Sequence, residues 1–310
     1  MSGVVPETAF VGEPGGLLYH YTSFDGLLGI LRSGKLWASS IHHLNDAREI
    51  TFALDKFAEI VKEEIEREPG RFDKDTLTGL ARVIDSLRLV TARVGLQMNI
   101  VYEFVATFSE DGDLLSQWRG YCPGYGGVSI GFNPQELRSL GDRHGFDLGP
   151  CRYDEAGQTK LLRDLMEQGA VFAHDQPEVG YDGIAPEITR ALYGHYNILW
   201  PVHPQLLQVA AIIKHPGFKE EKEWRLVSKP GAANSLELDF RASPTTIVPY
   251  LSIPLARDEG DTTLPIDKIV VGPGPQQRLT MVSVEKLLWE YGLVQRCKID
   301  KSQTEYRGWR

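Results

Sequence analysis

Residues 17–40 read LLYHYTSFDGLLGILRSGKLWASS, and this stretch decides the predicted fold. Residues 17–22 have the aromatic and apolar character of a β-strand, and residues 35–40 alternate as a second strand does. Between them, leucines and isoleucines recur at helical spacing. Ser23 is suited to cap the start of this helix and Gly34 to end it. The sequence therefore predicts a strand, a helix and a second strand in direct succession.

The composition is that of a globular protein, with 42% hydrophobic and 24% charged residues among 310. A net charge of −9 argues against general affinity for nucleic-acid backbones, although a local basic groove remains possible. No segment approaches the roughly 20 apolar residues that cross a bilayer, and residues 1–16 lack the features of a secretory signal. The three cysteines are widely spaced, as expected for free thiols in the cytoplasm. We therefore expect a cytoplasmic protein without a membrane partner.

Helices and strands are interspersed along the rest of the chain. Two long amphipathic helices are predicted within residues 46–98, and a largely helical stretch within 157–214. Further predicted strands lie at 102–110, 126–133, 151–154, 222–229 and in two segments between 245 and 274. This order favours one α+β domain over residues 17–310, with helical insertions near 46–98 and 157–214, after a loose leader at 1–16.

Polar residues stand at the ends of several predicted strands, where functional sites are usually built. They form four patches: His20-Tyr21-Thr22, Trp37-Ala38-Ser39-Ser40, Trp118-Arg119-Gly120-Tyr121 and Glu221-Lys222-Glu223-Trp224-Arg225.

The last patch contains two carboxylates two residues apart. In a strand, Glu221 and Glu223 would project from one face, and close carboxylates are tolerated at a solvated edge or beside a cation. A charged edge strand that blocks aggregation is the simpler interpretation. Trp224 weighs against it, because tryptophan is seldom placed on an exposed edge.

His20 and the other histidines exclude two kinds of site. His20-x-Thr22 would suit a phosphodiesterase that uses two such motifs, but no other histidine is followed by threonine or serine at the second position. His42, Asp46 and Glu49 have the helical spacing of metal ligands. Asp46 and Glu49 are better explained as a capping box for the helix that follows. We therefore predict no metal site.

The order of motifs resembles a bacterial family known as domain of unknown function 2971. The motifs that carry this resemblance run from about residue 17 to residue 307 and read LYHYTSFDGLLGILRSGKLWASS, HLNDAREI, FSEDGDLLSQWRGY, GGVSIGF, KHPGFKEEKEWRL and DKIVVGP. The family name implies no activity.

A more distant resemblance, to the ADP-ribosyltransferase superfamily, implies both a fold and an activity. It rests on a strand with His20, a helix ending in G-x-L, a strand ending in Ser39-Ser40, and a later E-x-E strand. In that superfamily NAD lies in a cleft between two small sheets. The resemblance therefore implies an α+β fold with a split-sheet core, and NAD as the substrate.

The same resemblance implies roles for the matching residues. The first-strand histidine binds the ribose or nicotinamide side of NAD, a second-strand hydroxyl supports the site, an aromatic ring stacks on nicotinamide, and the late glutamate is catalytic. In this sequence these positions are His20 with Thr22 on its face, Ser39 and Ser40, Tyr21 or Trp37, and Glu223 or, in the other register, Glu221.

These roles agree with the chemistry of NAD cleavage. Breaking the nicotinamide–ribose bond develops positive charge on the sugar, which a fixed carboxylate such as Glu223 stabilises. Glu221 could orient or deprotonate the acceptor nucleophile, and Trp118 and Arg119 could offer a stacking face and a cation for the pyrophosphate.

The sequence thus predicts NAD-dependent ADP-ribosyl transfer to a macromolecular acceptor, protein or nucleic acid, or NAD hydrolysis. A role as a bacterial toxin or phage-defence effector is implied by the resemblance. The alternative is a non-enzymatic module that binds a nucleotide or nucleic-acid end through His20, Trp37, Trp118 and Arg119. A scaffold for a partner protein is a third possibility, and the oligomeric state stays open. The enzymatic hypothesis requires His20, Ser39 and Glu223 to converge on one cleft.

Overall fold

The structure is a computed structural model. It describes residues 5–44, 49–67, 70–92, 103–122, 126–174, 199, 203–232, 236–243, 245–256 and 263–304. The chain forms two compact units, each assembled from three separate segments. Unit 1 comprises Met1–Val11, Ile41–Glu103 and Cys151–Gly217, and unit 2 comprises Gly12–Ser40, Phe104–Pro150 and Phe218–Arg310.

The described elements confirm a mixed α+β protein. In chain order the helices are α1 (Phe24–Ser33), α2 (Glu49–Glu66), α3 (Lys74–Ala92), α4 (Leu115–Tyr121), α5 (Pro134–His144), α6 (Glu155–His174), α7 (His203–Ala210) and α8 (Gln277–Glu290). The strands are β1 (Leu18–Ser23), β2 (Lys35–Ser40), β3 (Phe104–Ser109), β4 (Gly127–Phe132), β5 (Phe146–Pro150), β6 (Glu223–Ser228), β7 (Leu238–Ala242), β8 (Ile247–Pro254), β9 (Lys268–Val271) and β10 (Lys298–Lys301).

The predicted strand–helix–strand unit is confirmed as β1, α1 and β2. The Ser23 hydroxyl accepts a hydrogen bond from the Gly26 N–H at 3.1 Å and so caps the start of α1. Gly34 ends the helix in the left-handed conformation, with φ of 63°. Its N–H bonds to the Ile30 carbonyl at 2.9 Å. Local chemistry alone fixes both ends of this helix.

The ten strands of the described residues join in one mixed sheet within unit 2. The order is β10-β9-β4-β1-β3-β2-β8-β7, and β6 lies between β3 and β5. The β9–β10 pair is parallel and the other pairs are antiparallel. The order matches no simple meander, because strands from distant parts of the chain pair at the centre.

Two faces of this sheet differ in chemistry. The core face carries Leu18, Phe108 and Trp224, and helices α1, α5 and α8 pack on it through residues such as Leu27, Leu137 and Leu288. The polar face carries the residues that alternate with these. Tyr19, Ser109 and Glu223 form one cross-strand row there, because residues paired across strands share a face.

The named elements of unit 1 are helices α2, α3, α6 and α7 and a 3₁₀ turn, Ile41–His43. The four helices lie in the two parts of the chain that were predicted as helical insertions, near residues 46–98 and 157–214. The apolar stripe predicted for α2 is buried at Ile50, Leu54, Phe57 and Val61. The prediction of a single domain stays a prediction.

Some sequence predictions need correction. The strand predicted at 151–154 is not formed, and the strand there is β5, which ends at Pro150. In the described part of the leader, which the sequence predicts to be loose, several backbone carbonyls accept hydrogen bonds from arginine side chains. The Arg152 guanidinium donates to the carbonyls of Thr8 and Val11 at 3.1 and 2.8 Å within unit 1. In unit 2, Arg138 donates to the carbonyl of Gly12. Asp46 of the predicted capping box lies outside the described residues.

Candidate functional site

The sheet is split along one edge of β3. Strand β6 pairs with β3 from Val105 to Ser109 and occupies its other edge. Strand β1 reaches the free edge only at Ser109, through Tyr19, whereas β2 reaches it at Val105 and Phe104. Between these contacts the backbone of Thr107 has no neighbouring strand on that side among the described residues. We call this interval the split.

His20 bridges the split from the core face. Its Nδ1 lies 2.9 Å from the Thr107 carbonyl oxygen, and its ring lies 5.9 Å from that of Phe108. A carbonyl can only accept, so Nδ1 carries the proton and Nε2 keeps its lone pair. Burial lowers the pKa of His20, because the charged form is disfavoured away from water. A neutral histidine thus satisfies a strand carbonyl that the split leaves unpaired.

Glu223 and Arg225 form a buried ion pair on the polar face. The Arg225 Nε donates to the Glu223 Oε1 at 2.7 Å, and the two residues are 1% and 5% exposed. Their cross-strand neighbours on β3 are Thr107 and Ser109. A charge-assisted hydrogen bond of this kind fixes the carboxylate in one orientation.

The predicted meeting of His20 and Glu223 in one cleft is wrong. His20 contacts Phe108, and Phe108 is paired with Trp224, so all three lie on the core face. Glu223 and Arg225 flank Trp224 in the same strand and therefore project to the opposite face. The imidazole and the carboxylate are separated by the sheet.

The predicted side-by-side projection of Glu221 and Glu223 is also wrong. Glu221 ends a 3₁₀ turn, Pro216–Glu221, and Lys222 has a positive φ of 42°, so the strand alternation begins only at Glu223. The Glu221 carbonyl accepts a hydrogen bond from the Ser109 hydroxyl at 2.7 Å. The charged-edge interpretation fails as well, because β6 has a strand on each side.

Further along the polar face, aromatic and charged side chains meet near β2. Trp37 is 38% exposed, and its ring lies 4.5 Å from that of Tyr250 with an interplanar angle of 31°. The Ser39 hydroxyl lies 3.3 Å from the Arg241 Nη2, which donates to it. The Tyr250 hydroxyl donates to the Asp239 Oδ2 at 2.9 Å. We call these five residues the β2 group.

Two groups in this cluster have shifted pKa values. Burial, with the Asp239 carboxylate beside it, raises the pKa of Tyr250 to about 12. Hydrogen bonds from the Phe240 N–H and then the Tyr250 hydroxyl lower the pKa of Asp239. Tyr250 therefore stays protonated and Asp239 charged near neutral pH.

Tyr21 and Trp118 form a separate buried cluster on the polar face. The Tyr21 hydroxyl donates to the Asp111 carbonyl at 2.7 Å and accepts from the Leu114 N–H at 2.8 Å. Trp118 is 1% exposed, and its indole N–H donates to the Asp113 Oδ1 at 2.8 Å. Its ring meets Tyr21 edge-on at 4.6 Å. Trp118 therefore offers no free stacking face.

The remaining predicted residues are dispersed. Arg119 is exposed on α4. Thr22 and Ser40 lie on the core face with His20, as their cross-strand partners Val128 and Phe104 show. Ser40 is fully buried, and its hydroxyl has no hydrogen-bond partner among the described residues.

Sequence reasoning missed Asp239, Arg241 and Tyr250, and it gave Arg225 no role. Strand β7 reads LDFRA, in which polar and apolar residues alternate, and this period of two was the available signal for Asp239 and Arg241. Arg225 was visible beside Glu223, but its ion pair depends on the strand geometry.

In the parts of the chain that the structure describes, no cluster of three or more His, Cys, Asp or Glu side chains could hold a metal ion. No described helix has the length and apolar character required to span a membrane.

One comparison with known proteins gives a match. The family model described as "Protein of unknown function (DUF2971)" matches residues 117–226, about a third of the chain. The matched segment contains Trp118, Arg119, Glu221 and Glu223 but not β1, α1 and β2. Neither a curated protein nor a solved structure matches the chain. The similarity to this family is therefore supported over residues 117–226.

Proposed function

We propose that the polar face binds NAD and cleaves its nicotinamide–ribose bond, with ADP-ribose passing to a macromolecular acceptor or to water. One observation carries this proposal. Trp37, Ser39 and Glu223, which the ADP-ribosyltransferase resemblance selects from distant parts of the chain, project from the same face of one sheet. Tyr21 shares that face.

Glu223 is the proposed catalytic residue. As the bond between nicotinamide and ribose breaks, nicotinamide leaves with the bonding electron pair and C1′ of the ribose becomes cationic. The acceptor nucleophile then bonds to C1′ and loses its proton. The Glu223 carboxylate, oriented by Arg225 at 2.7 Å, stabilises the cationic sugar, and its burial strengthens the effect. Glu221, half-buried at the end of the 3₁₀ turn that precedes β6, is the proposed proton acceptor.

The β2 group supplies the proposed binding surface. Trp37 is exposed enough to stack on a planar base or nicotinamide ring, and Tyr250 supports it from behind. Arg241, half-buried against Ser39, is a cation suited to the pyrophosphate. In this role it replaces Arg119, which the sequence had suggested.

His20 takes a different part from the one that the sequence suggested. It faces the core and bonds the Thr107 carbonyl, and Thr107 is paired with Arg225 on β6. We therefore assign His20 as a positioning residue. Its hydrogen bond holds the β3 backbone in place beside β6, the strand that carries the Arg225–Glu223 pair.

Nicotinamide release from NAD by the purified chain tests the proposal. We expect wild-type release above the uncatalysed rate and a loss of about 10²- to 10³-fold in kcat for Glu223→Gln. Glu49→Gln is the matched control, because Glu49 is a buried carboxylate, 6% exposed, that pairs with Lys214 in unit 1. Release that is absent in the wild type, or equal in Glu223→Gln, would contradict the proposal.

The second candidate, a module that binds a nucleotide without turnover, is favoured by the pairing of Glu223 with Arg225. A carboxylate already engaged in a buried ion pair serves structure without any chemistry. Calorimetric titration with NAD separates the two candidates. Binding that is lost in Trp37→Ala, unchanged in Glu223→Gln and accompanied by no nicotinamide release would establish the binding module instead.

A further inference from the structure

Three strands of the sheet have a single neighbour among the described strands. They differ in whether their residues discourage pairing with another chain at the free edge. Strand β10 reads KIDK, and its lysines discourage pairing with another chain. Strand β5 buries Phe146 and Leu148 and ends in Pro150. Strand β7 has neither protection. Its Leu238 and Phe240 are 44% and 60% exposed, and β7 contains no lysine or proline.

The sequence of β7 is complementary to itself when paired in the antiparallel sense. With Phe240 opposite Phe240 of a second copy, Asp239 faces Arg241 of that copy and Leu238 faces Ala242. Each pair of strands would therefore contain two pairs of opposite charges, each formed by Asp239 of one copy and Arg241 of the other. Opposite charges directly across an antiparallel pair are stabilising and like charges are not.

The backbone of β7 is oriented for this pairing. Phe240 lies opposite Pro249 on β8, and proline has no N–H to donate. Phe240 is thus the non-hydrogen-bonded member of the β7–β8 ladder, and its backbone groups point to the free edge. Its N–H instead bonds the Asp239 Oδ1 at 2.7 Å. In a pair of copies, the Phe240 N–H would donate to a carbonyl of the second strand. The Asp239 carboxylate would then be available to Arg241 of the second copy.

The apolar side of the same hairpin adds to the surface. Leu238, Phe240 and Ala242 pair with Leu251, Pro249 and Ile247 on β8, and Ile247 is 66% exposed. These side chains share one face, so a second copy related by a twofold axis through Phe240 would bring the two apolar patches together. Symmetric interfaces of this type use one patch on both copies.

We propose that two copies of the chain pair through β7, antiparallel about Phe240, into one continuous sheet. Each Asp239 then pairs with Arg241 of the other copy. The contact is short, so the dimer is expected to be reversible and dependent on protein concentration. Asp239 and Arg241 also belong to the β2 group, but pairing through β7 does not require that NAD is cleaved.

Sedimentation velocity over a wide concentration range tests the proposal with matched charge changes. The wild type is expected to shift from monomer to dimer. Asp239→Arg and Arg241→Asp should each weaken association about ten-fold, because each places like charges opposite each other twice. The double variant restores opposite charges and should recover wild-type association within about three-fold.

Two further variants secure the interpretation. Asp142→Arg makes the same charge change at an exposed position of α5 and should leave association unchanged. Phe240→Lys should weaken it without touching either charged residue. A wild type that stays monomeric at every concentration, or a double variant as weak as the single ones, would overturn the proposal. Association also lost in Asp142→Arg would overturn it, since a general charge effect would then explain the data.

Discussion

The two faces of the sheet have opposite chemistry although they share every strand. The core face is apolar, and His20 there is neutral and committed to the backbone of Thr107. The polar face carries the Glu223–Arg225 ion pair and the exposed Trp37 of the β2 group. A shift of one residue in the pairing of any strand would exchange these roles. The register of the strands, more than their composition, therefore determines which side chains can act on a common ligand.

This comparison suggests that polar groups serve different ends on the two faces. On the core face, a hydrogen bond satisfies a backbone group that the split leaves without a strand partner. On the polar face, charged groups are held beside exposed aromatic surface. Two substitutions and one pH dependence test this difference, in addition to the assays described above.

Arg225→Met is expected to have the largest effect. It would leave the Glu223 carboxylate buried without its guanidinium partner, and loss of one member of a buried ion pair costs about 3–5 kcal/mol. Urea denaturation of the variant measures the change in the free energy of unfolding.

The double variant Glu223→Leu with Arg225→Met is the control for this prediction. It removes both charges and should recover most of the lost stability, because an apolar pair carries no desolvation penalty. A single variant that loses less than about 1 kcal/mol would show that the polar face tolerates the loss of the Arg225 guanidinium, and the contrast between the faces would fail.

His20→Phe should have an intermediate effect. It preserves ring packing against Phe108 but removes the hydrogen bond to the Thr107 carbonyl, and an unsatisfied buried group costs about 1–3 kcal/mol. The loss should appear in the free energy of unfolding and, if NAD is cleaved, as a lower kcat with KM little changed. His144→Phe is the control. It also removes an imidazole whose pKa is lowered, but at a site away from the split. Equal effects of the two variants on kcat would remove His20 from its positioning role.

The local parts of the fold could be predicted from the sequence. Ser23 and Gly34 mark the ends of α1 by their own chemistry, and the apolar stripe of α2 repeats with the helical period. Short exposed strands give a weaker signal, because only the alternation of polar and apolar residues over a few positions indicates them. Strands β7 and β10 have five and four residues, and neither contains a continuous apolar run.

The candidate site was predicted less well, for a physical reason. Sequence gives the alternation within one strand, which implies that the adjacent residues Trp224 and Glu223 face opposite ways. It does not give the pairing of distant strands, so it could not place His20 on the side of Trp224. The turn before β6 was not predicted either. Lys222 has a positive φ there, a conformation that glycine or asparagine would indicate in a sequence and lysine does not.

The smallest predicted effect is a dependence of stability on pH that originates on the core face. The pKa of His20 is below its ordinary value of 6.5 in the folded chain, so the unfolded chain binds the proton more readily. Its contribution is therefore complete above about pH 6.5 and declines as the pH falls below that value, by at most about 1.4 kcal/mol per pH unit. His42 and His144, whose pKa values are also lowered, act in the same direction. Unfolding free energies at about pH 7.5 and about pH 5.5 should thus differ less for His20→Phe than for the wild type. An equal pH dependence in both would mean that His20 binds a proton as readily in the folded chain as in the unfolded chain, and the core face would then be open to water at the split.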